Sequence, residues 1–211
     1  MKEVDLAKHF VNYLSCYDLY FEIPNLNVDI VAKHGNILMA FEVKTTLNFR
    51  VIEQAKHNTH YFHYSYICVP ESRNMSFAKE ICSLYGIGIL SIYISGNTAW
   101  GDVNEILKPK LHRIDKNIKK WIRLPDYSKR SIPGASGGDG TTITPFKNTV
   151  ENVVKYVKHH NDPTIKEVFD NIDHHYSSVS AAKSSLYQWI RADVIKEFYF
   201  DKGIVKLTEN Q

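Results

Sequence analysis

Apolar residues recur at helical spacing from Val4 to Cys16, with Leu6, Phe10, Tyr13 and Leu14 on one side and Asp5, Lys8 and Asn12 elsewhere. Tyr20 to Ile23 reads as a short strand before Pro24-Asn25. Residues 27 to 44 read as a hairpin, with Val28-Asp29-Ile30-Val31-Ala32 in one arm and Ile37 to Lys44 in the other. Val51 to Phe62 has helical character. Tyr66-Ile67-Cys68-Val69 is a buried-strand candidate ended by Pro70, Phe77 to Tyr85 a helix stopped by Gly86, and Ile87 to Ile94 a further apolar strand. The order helix, strands, helix, strand, helix, strand predicts an α/β layer in which helices flank a mixed sheet.

The character changes between Ser131 and Thr144. Pro133-Gly134-Ala135-Ser136-Gly137-Gly138-Asp139-Gly140 has linker composition, with no Gly-Lys-Ser/Thr to make it a phosphate loop. The chain therefore divides into a domain over 1–110, a connector over 111–145 and a second domain over 146–211. In the last, Val150, Val153, Val154 and Val157 mark the inner side of a helix over Thr149 to His160. Asp162-Pro163-Thr164 opens a second helix that runs through Ile172. Ser180 to Ala192 is a third, and Ile195 to Tyr199 and Ile204 to Leu207 make a hairpin around Asp201-Lys202-Gly203. Three helices and a terminal hairpin resemble a winged helix.

The polar exceptions in the first hairpin carry chemistry. Strand residues two apart share a face, so Glu42 and Lys44 project together and Phe41 and Val43 point away. With His34-Gly35 as a two-residue turn, Asp29 would lie opposite Ala40 and diagonal to Glu42. Two carboxylates and an ammonium converging in an apolar hairpin are costly to bury without a purpose. Mg²⁺ takes oxygen ligands and keeps several waters, so Asp29, Glu42 and the main-chain carbonyl of Val43 suffice to hold it, with Lys44 orienting a water and offsetting negative charge on a phosphate. The plainer alternative is a solvated sheet face carrying ordinary charges.

Asp29, twelve intervening residues and Glu42-Val43-Lys44 resemble the signature of the PD-(D/E)XK nuclease superfamily, which includes restriction endonucleases and Holliday-junction resolvases. The resemblance covers roughly residues 1 to 95. It implies a restriction-endonuclease-like fold and Mg²⁺-dependent hydrolysis of DNA, with Mn²⁺ able to substitute. It adds Glu3, on the first helix, and Gln54, on the helix after the Glu-x-Lys strand, to the catalytic set. Where the superfamily usually has Pro before the first Asp, this chain has Val28. Glu22, in Tyr20-Phe21-Glu22-Ile23, has two readings, a place near the site and a charge on an edge strand, with the second preferred.

In the winged-helix-like domain the third helix is the element that enters a major groove in such folds. Its exposed candidates are Ser180, Lys183, Ser184, Tyr187, Gln188 and Arg191, with Lys202 at the hairpin tip for a phosphate. The partner expected is duplex DNA, with RNA left open, and a homodimer would permit a double-strand break. Two alternatives stand beside the endonuclease: a non-catalytic DNA-binding regulator, and a protein-interaction adaptor built on the second domain, whose nine basic and nine acidic residues balance.

Composition sets outer limits. The 211 residues are 44% hydrophobic with a net charge of +3, so total charge announces no nucleic-acid partner. Residues 111 to 145 concentrate seven basic residues (Arg113, Lys116, Lys119, Lys120, Arg123, Lys129, Arg130) against three acids, Asp115, Asp126 and Asp139. No apolar run reaches about 18 residues and no apolar leader is evident, so a cytoplasmic protein without a membrane span is expected. Cys16, Cys68 and Cys82 fit buried, reduced thiols. His57, His60 and His63 recur every third residue, which walks around a helix and argues against a zinc site.

Overall fold

The computed structural model describes residues 2–23, 26–95, 98–114, 117, 122–134 and 142–208. The chain separates into two units, Met1–Thr142 and Ile143–Gln211. The first holds α1 (Glu3–Tyr13), β1 (Asp18–Ile23), β2 (Val28–His34), β3 (Ile37–Val43), α2 (Phe49–Asn58), β4 (Tyr64–Pro70), α3 (Ser76–Tyr85), β5 (Gly88–Ser95) and β6 (Thr98–Leu107). These strands form one six-stranded mixed sheet in the order β1-β2-β3-β4-β5-β6. β3, β4 and β5 run parallel and the other neighbouring pairs antiparallel.

Helices cover both faces, as a parallel centre requires. Leu6, Ala7 and Phe10 of α1 pack on Ile30, Ala32, Phe41, Val43, Cys68 and Leu90. Val51, Ile52 and Ala55 of α2 and Cys82 of α3 pack on Ile67, Val69 and Ile89 from the other side. The alternation within β4 splits the clusters: Cys68 joins α1, and Ile67 and Val69 join α2 and α3. Tyr13, expected on the inner side of α1, is 49% exposed. Gly88 is required by close approach, because a Cβ there would lie 2.6 Å from the Tyr66 ring, which stacks on Phe41.

Two expectations are corrected. The hairpin turn is Gly35-Asn36, not His34-Gly35, since His34 pairs with Ile37, and Gly35 supplies the positive φ of +56°. Ile30 consequently pairs with Phe41, which sets Asp29 directly across from Glu42 rather than from Ala40. Cys16 is exposed, while Cys68 and Cys82 are buried, and all three are free.

Part of the connector packs on the first unit. Asp126–Arg130 form a 3-10 turn whose Lys129 lies over the Tyr20 ring. Lys116, Lys119 and Lys120, the acids Asp115 and Asp139, and the linker residues 135–141 lie outside the described residues.

The second unit holds α4 (Pro145–His159), α5 (Ile165–Asn171), α6 (Val179–Arg191), β7 (Phe198–Asp201) and β8 (Ile204–Leu207). Thr144, Thr164 and Ser178 each accept a backbone N–H at a helix start, and Thr164 with Glu167 completes a reciprocal capping box. Val150, Val153, Val168, Phe169, Ala182, Leu186, Phe198 and Val205 make one core. β7 and β8 are antiparallel, and Thr164 bridges to Ile204 at the start of β8. Among the described residues, no helix is long and apolar enough to cross a membrane.

Candidate metal-binding site at one end of the sheet

The end of β1, the start of β2 and the end of β3 meet at one edge, where β3 leaves the sheet and α1 begins. Asp29 and Glu42 are buried there, with Glu42 only 1% exposed. Val43 N–H donates to Asp29 Oδ2 at 2.7 Å, and Lys44 Nζ donates to the same oxygen at 2.8 Å. Both bonds use Oδ2, so Asp29 Oδ1 is committed to neither. Lys44 Nζ also lies 3.4 Å from Glu3 Oε2 at the first turn of α1. Asp29 and Glu42 on the strands, Lys44 just past β3 and Glu3, which the resemblance added, are thus brought to one end of the sheet.

Glu42 faces α2. Its Oε1 accepts from Asn58 Nδ2 at 2.8 Å, whereas Oε2 is buried without a partner. Gln54 lies on the same helix one turn earlier and is half-buried, but the hydrogen bond to Glu42 comes from Asn58. Asn58 went unnoticed in the sequence because its part depends on how α2 is rotated against β3.

Burial, then the neighbouring Asp29, pushes the Glu42 carboxyl up to about 8 against the opposing pull of Asn58 and Lys44. Burial would lower Lys44, but Asp29, Glu3 and Glu42 outweigh it and hold the ammonium above its ordinary range. Glu22, read as a plain edge charge, belongs to this cluster: burial and Asp29 raise it to about 7, while the Gly134 N–H and Lys44 work the other way. Lys44 is thus paired directly with Asp29 and Glu3, while Glu42 and Glu22 act on it through the field.

Among the described residues, no three His, Cys, Asp or Glu side chains converge closely enough to hold a metal ion by themselves. Asp29 and Glu42 as a pair nonetheless fit Mg²⁺, which takes one or two carboxylates and completes its shell with water. The orphaned Glu42 Oε2 is the observation that favours a cation, because a buried carboxylate oxygen with no donor is costly. Val43 follows Glu42 directly, which places its carbonyl at the same strand end. The histidines take structural parts: His63 Nδ1 accepts from Leu38 N–H, and His57 packs on Tyr61.

In the second unit Ser180, Lys183, Ser184, Tyr187, Gln188 and Arg191 are all exposed along one face of α6. Ala182 and Leu186 point inward. Lys202 is exposed in the β7–β8 turn with φ +48°.

The chain matches no protein-family profile. No curated protein matches it either. Among solved structures it is similar to the SPO1766 protein of unknown function from Silicibacter pomeroyi, with 14% identity over 57% of this chain and 80% of that one and a TM-score of 0.42. A likeness that distant carries no argument about activity.

Proposed function

We propose that this chain is a metal-dependent DNA endonuclease, with a PD-(D/E)XK-like, restriction-endonuclease-like first unit and a winged-helix-like second unit that positions it on duplex DNA. The observation that carries the reading is the meeting of buried Asp29 and Glu42 with Lys44, one oxygen of Glu42 having no donor. Asp29, Glu42 and the Val43 carbonyl would hold Mg²⁺, and Mn²⁺ could replace it. When bound, the ion supplies Lewis acidity and a water of lowered pKa. Lys44, fixed by Asp29 and Glu3, sits where an ammonium can offset charge gathering on a phosphate oxygen. Asn58 fixes the rotamer of Glu42 through Oε1 and leaves Oε2 for the ion. Gln54, half-buried on α2 one turn before Asn58, belongs to the proposed set on the resemblance alone.

The second unit supports duplex binding by shape. Lys183, Ser184, Tyr187, Gln188 and Arg191 form a continuous exposed polar face of α6, with Lys202 on the hairpin tip. Its equal numbers of acids and bases favour a second reading, in which this unit docks on a protein. Salt dependence separates the two, since release of counterions makes DNA affinity fall steeply with salt. The decisive experiment incubates the protein with supercoiled plasmid, linear duplex and branched DNA, with Mg²⁺, with Mn²⁺ and with chelator, beside Glu42→Ala. Cutting that needs the ion and vanishes in Glu42→Ala supports the proposal. No cutting of any substrate, or cutting retained by the variant, refutes it.

A further inference from the structure

The β1–β2 ladder pairs Phe21 with Ile30 and Ile23 with Val28 but omits the pair between them. Those two residues are Glu22 and Asp29, acids set against one another on adjacent strands, a placement that repulsion disfavours. Glu22 has φ +51°, in the left-handed region that a long side chain rarely adopts. The in–out alternation of β1 breaks at this point. Leu19 and Phe21 pack towards the α1 cluster, whereas Tyr20 and Ile23, three residues apart, join the same cluster on the other side. One irregular residue re-aims a side chain in this way and recurs next to functional sites.

Such a conformation persists only where its surroundings over-determine it. Here Gly134 N–H donates to Glu22 Oε1 at 2.7 Å. Gly134, at φ +73°, is packed so tightly on α1 that a Cβ would fall 3.0 Å from the carbonyl carbon of Glu3. A turn more than a hundred residues away in sequence thus holds one oxygen of Glu22 beside the acid cluster.

We propose that Glu22 is a positioning residue of the cation site, its carboxylate accepting a hydrogen bond from water carried by a divalent ion that Asp29 and Glu42 hold. This rests on the reading of Asp29 and Glu42 as ligands. A hydrated ion suits the geometry, because Mg²⁺ retains waters that neighbouring carboxylates orient. It also suits the lack, among the described residues, of a third direct ligand. An independent sign that the cluster receives a ligand is Glu42 Oε2, buried and without a donor.

The test titrates Mn²⁺ into the full chain by calorimetry, comparing wild type, Glu22→Gln, Glu22→Gly and Glu42→Gln. Glutamine keeps an acceptor for the Gly134 amide but weakens the hold on a metal-borne water. Glu22→Gln should bind Mn²⁺ about tenfold more weakly, the lower range for loss of an outer-shell partner, with hydrogen-exchange protection of Gly134 retained. Glu22→Gly should show the same loss with an unreduced melting temperature, because glycine adopts positive φ without strain. Wild-type Mn²⁺ affinity in both Glu22 variants, with Glu42→Gln weakened, overturns the role of Glu22 alone. Wild-type affinity in Glu42→Gln overturns the metal reading of Asp29 and Glu42 and this proposal with it.

Discussion

In the second unit the helix starts and the core follow the local signals, and the departures, positive φ at Asp162, Asp193 and Lys202 and a buried His174 Nδ1 without a partner, lie in the loops and turns between elements. Its helices begin on Thr144, Thr164 and Ser178 caps, the core side chains are apolar, and among the described residues its buried polar ones are Asn148 and Thr149. At the acid-lined end of the first unit the departures gather around one cluster of side chains. Glu42 is buried with an orphan oxygen, Glu22 sits at positive φ opposite another acid, and α1 starts on Lys2 with no side-chain cap. Sequences that fold well are locally consistent, and departures concentrate where function requires them. Under the proposed function, chemistry falls to the first unit and placement on DNA to the second.

The largest effect is expected from Glu42→Gln. The amide still accepts from Asn58 but cannot act as an anionic ligand, so plasmid cleavage should disappear. Stability should move the other way, because the change removes a buried, partly unpartnered carboxyl. A melting temperature at pH 8 at or above wild type, in a protein that no longer cuts, would mark a site kept for chemistry. Undiminished cutting would return Glu42 to a structural part. Lys44→Met should cut about a hundredfold more slowly, in the range for losing one charge-stabilising donor. It should also be less stable by about 3 kcal/mol, since Asp29 loses its counter-charge while remaining buried. A rate near wild type would remove Lys44 from the site.

The pH response comes next. The Glu42 carboxyl rises from its ordinary value of 4.5 to about 8 in the folded protein. A folded chain that keeps a proton the unfolded chain has released is favoured at low pH and loses that advantage as pH climbs. The metal-free protein should therefore become less stable between about pH 5 and pH 8, with Glu22, raised to about 7, acting in the same direction. A divalent ion needs both carboxylates deprotonated, so added Mn²⁺ should flatten or reverse the trend. Thermal melts across this range, with and without Mn²⁺, check the sign. Stability that rises with pH without metal would contradict the burial of these acids.

What could be read in the sequence divides along the same line. The strongly apolar strands and the helices of the second unit follow from periodicity and helix-start signals, and Asp29, Glu42 and Lys44 meet as their spacing indicated, with Glu3 added by the resemblance. β6 was missed because its Asp102, Asn104 and Glu105 are exposed on an edge strand, which masks the period-two pattern. The turn register slipped by one residue because Gly35 is compatible with either turn position, and only pairing fixes which. Glu22 and Asn58 depend on a backbone irregularity and on the rotation of α2 against β3, neither of which has a signature in a single chain. Trp189 carries the opposite lesson: an apolar residue on α6, 43% exposed, rests on Phe146 at the rim of the core rather than inside it.

Deleting residues 146–211 should lower DNA affinity by about an order of magnitude and flatten its salt dependence, since phosphate contacts are lost. Metal-dependent cutting by the remainder should persist at high DNA concentration. Equal affinity before and after deletion would transfer DNA placement to the first unit and favour a protein partner for the second.

The smallest effect is the most discriminating, because its two parts have opposite signs. Lys202 and Gly203 both have positive φ, +48° and +88°, as a two-residue hairpin turn demands, and a lysine there carries a left-handed cost of about 1 kcal/mol. Lys202→Gly should therefore raise or preserve stability while deleting one charge from the hairpin tip. If that charge meets a phosphate, DNA affinity falls modestly on every sequence tested, and the slope of log affinity against log salt drops by about one. The residue then keeps a strained backbone for the sake of its ammonium, a small counterpart in the second unit of what Glu22 does in the first. A stabilised variant with unchanged affinity and salt slope would leave Lys202 a turn residue only and would move the duplex contact, if there is one, wholly onto the exposed face of α6.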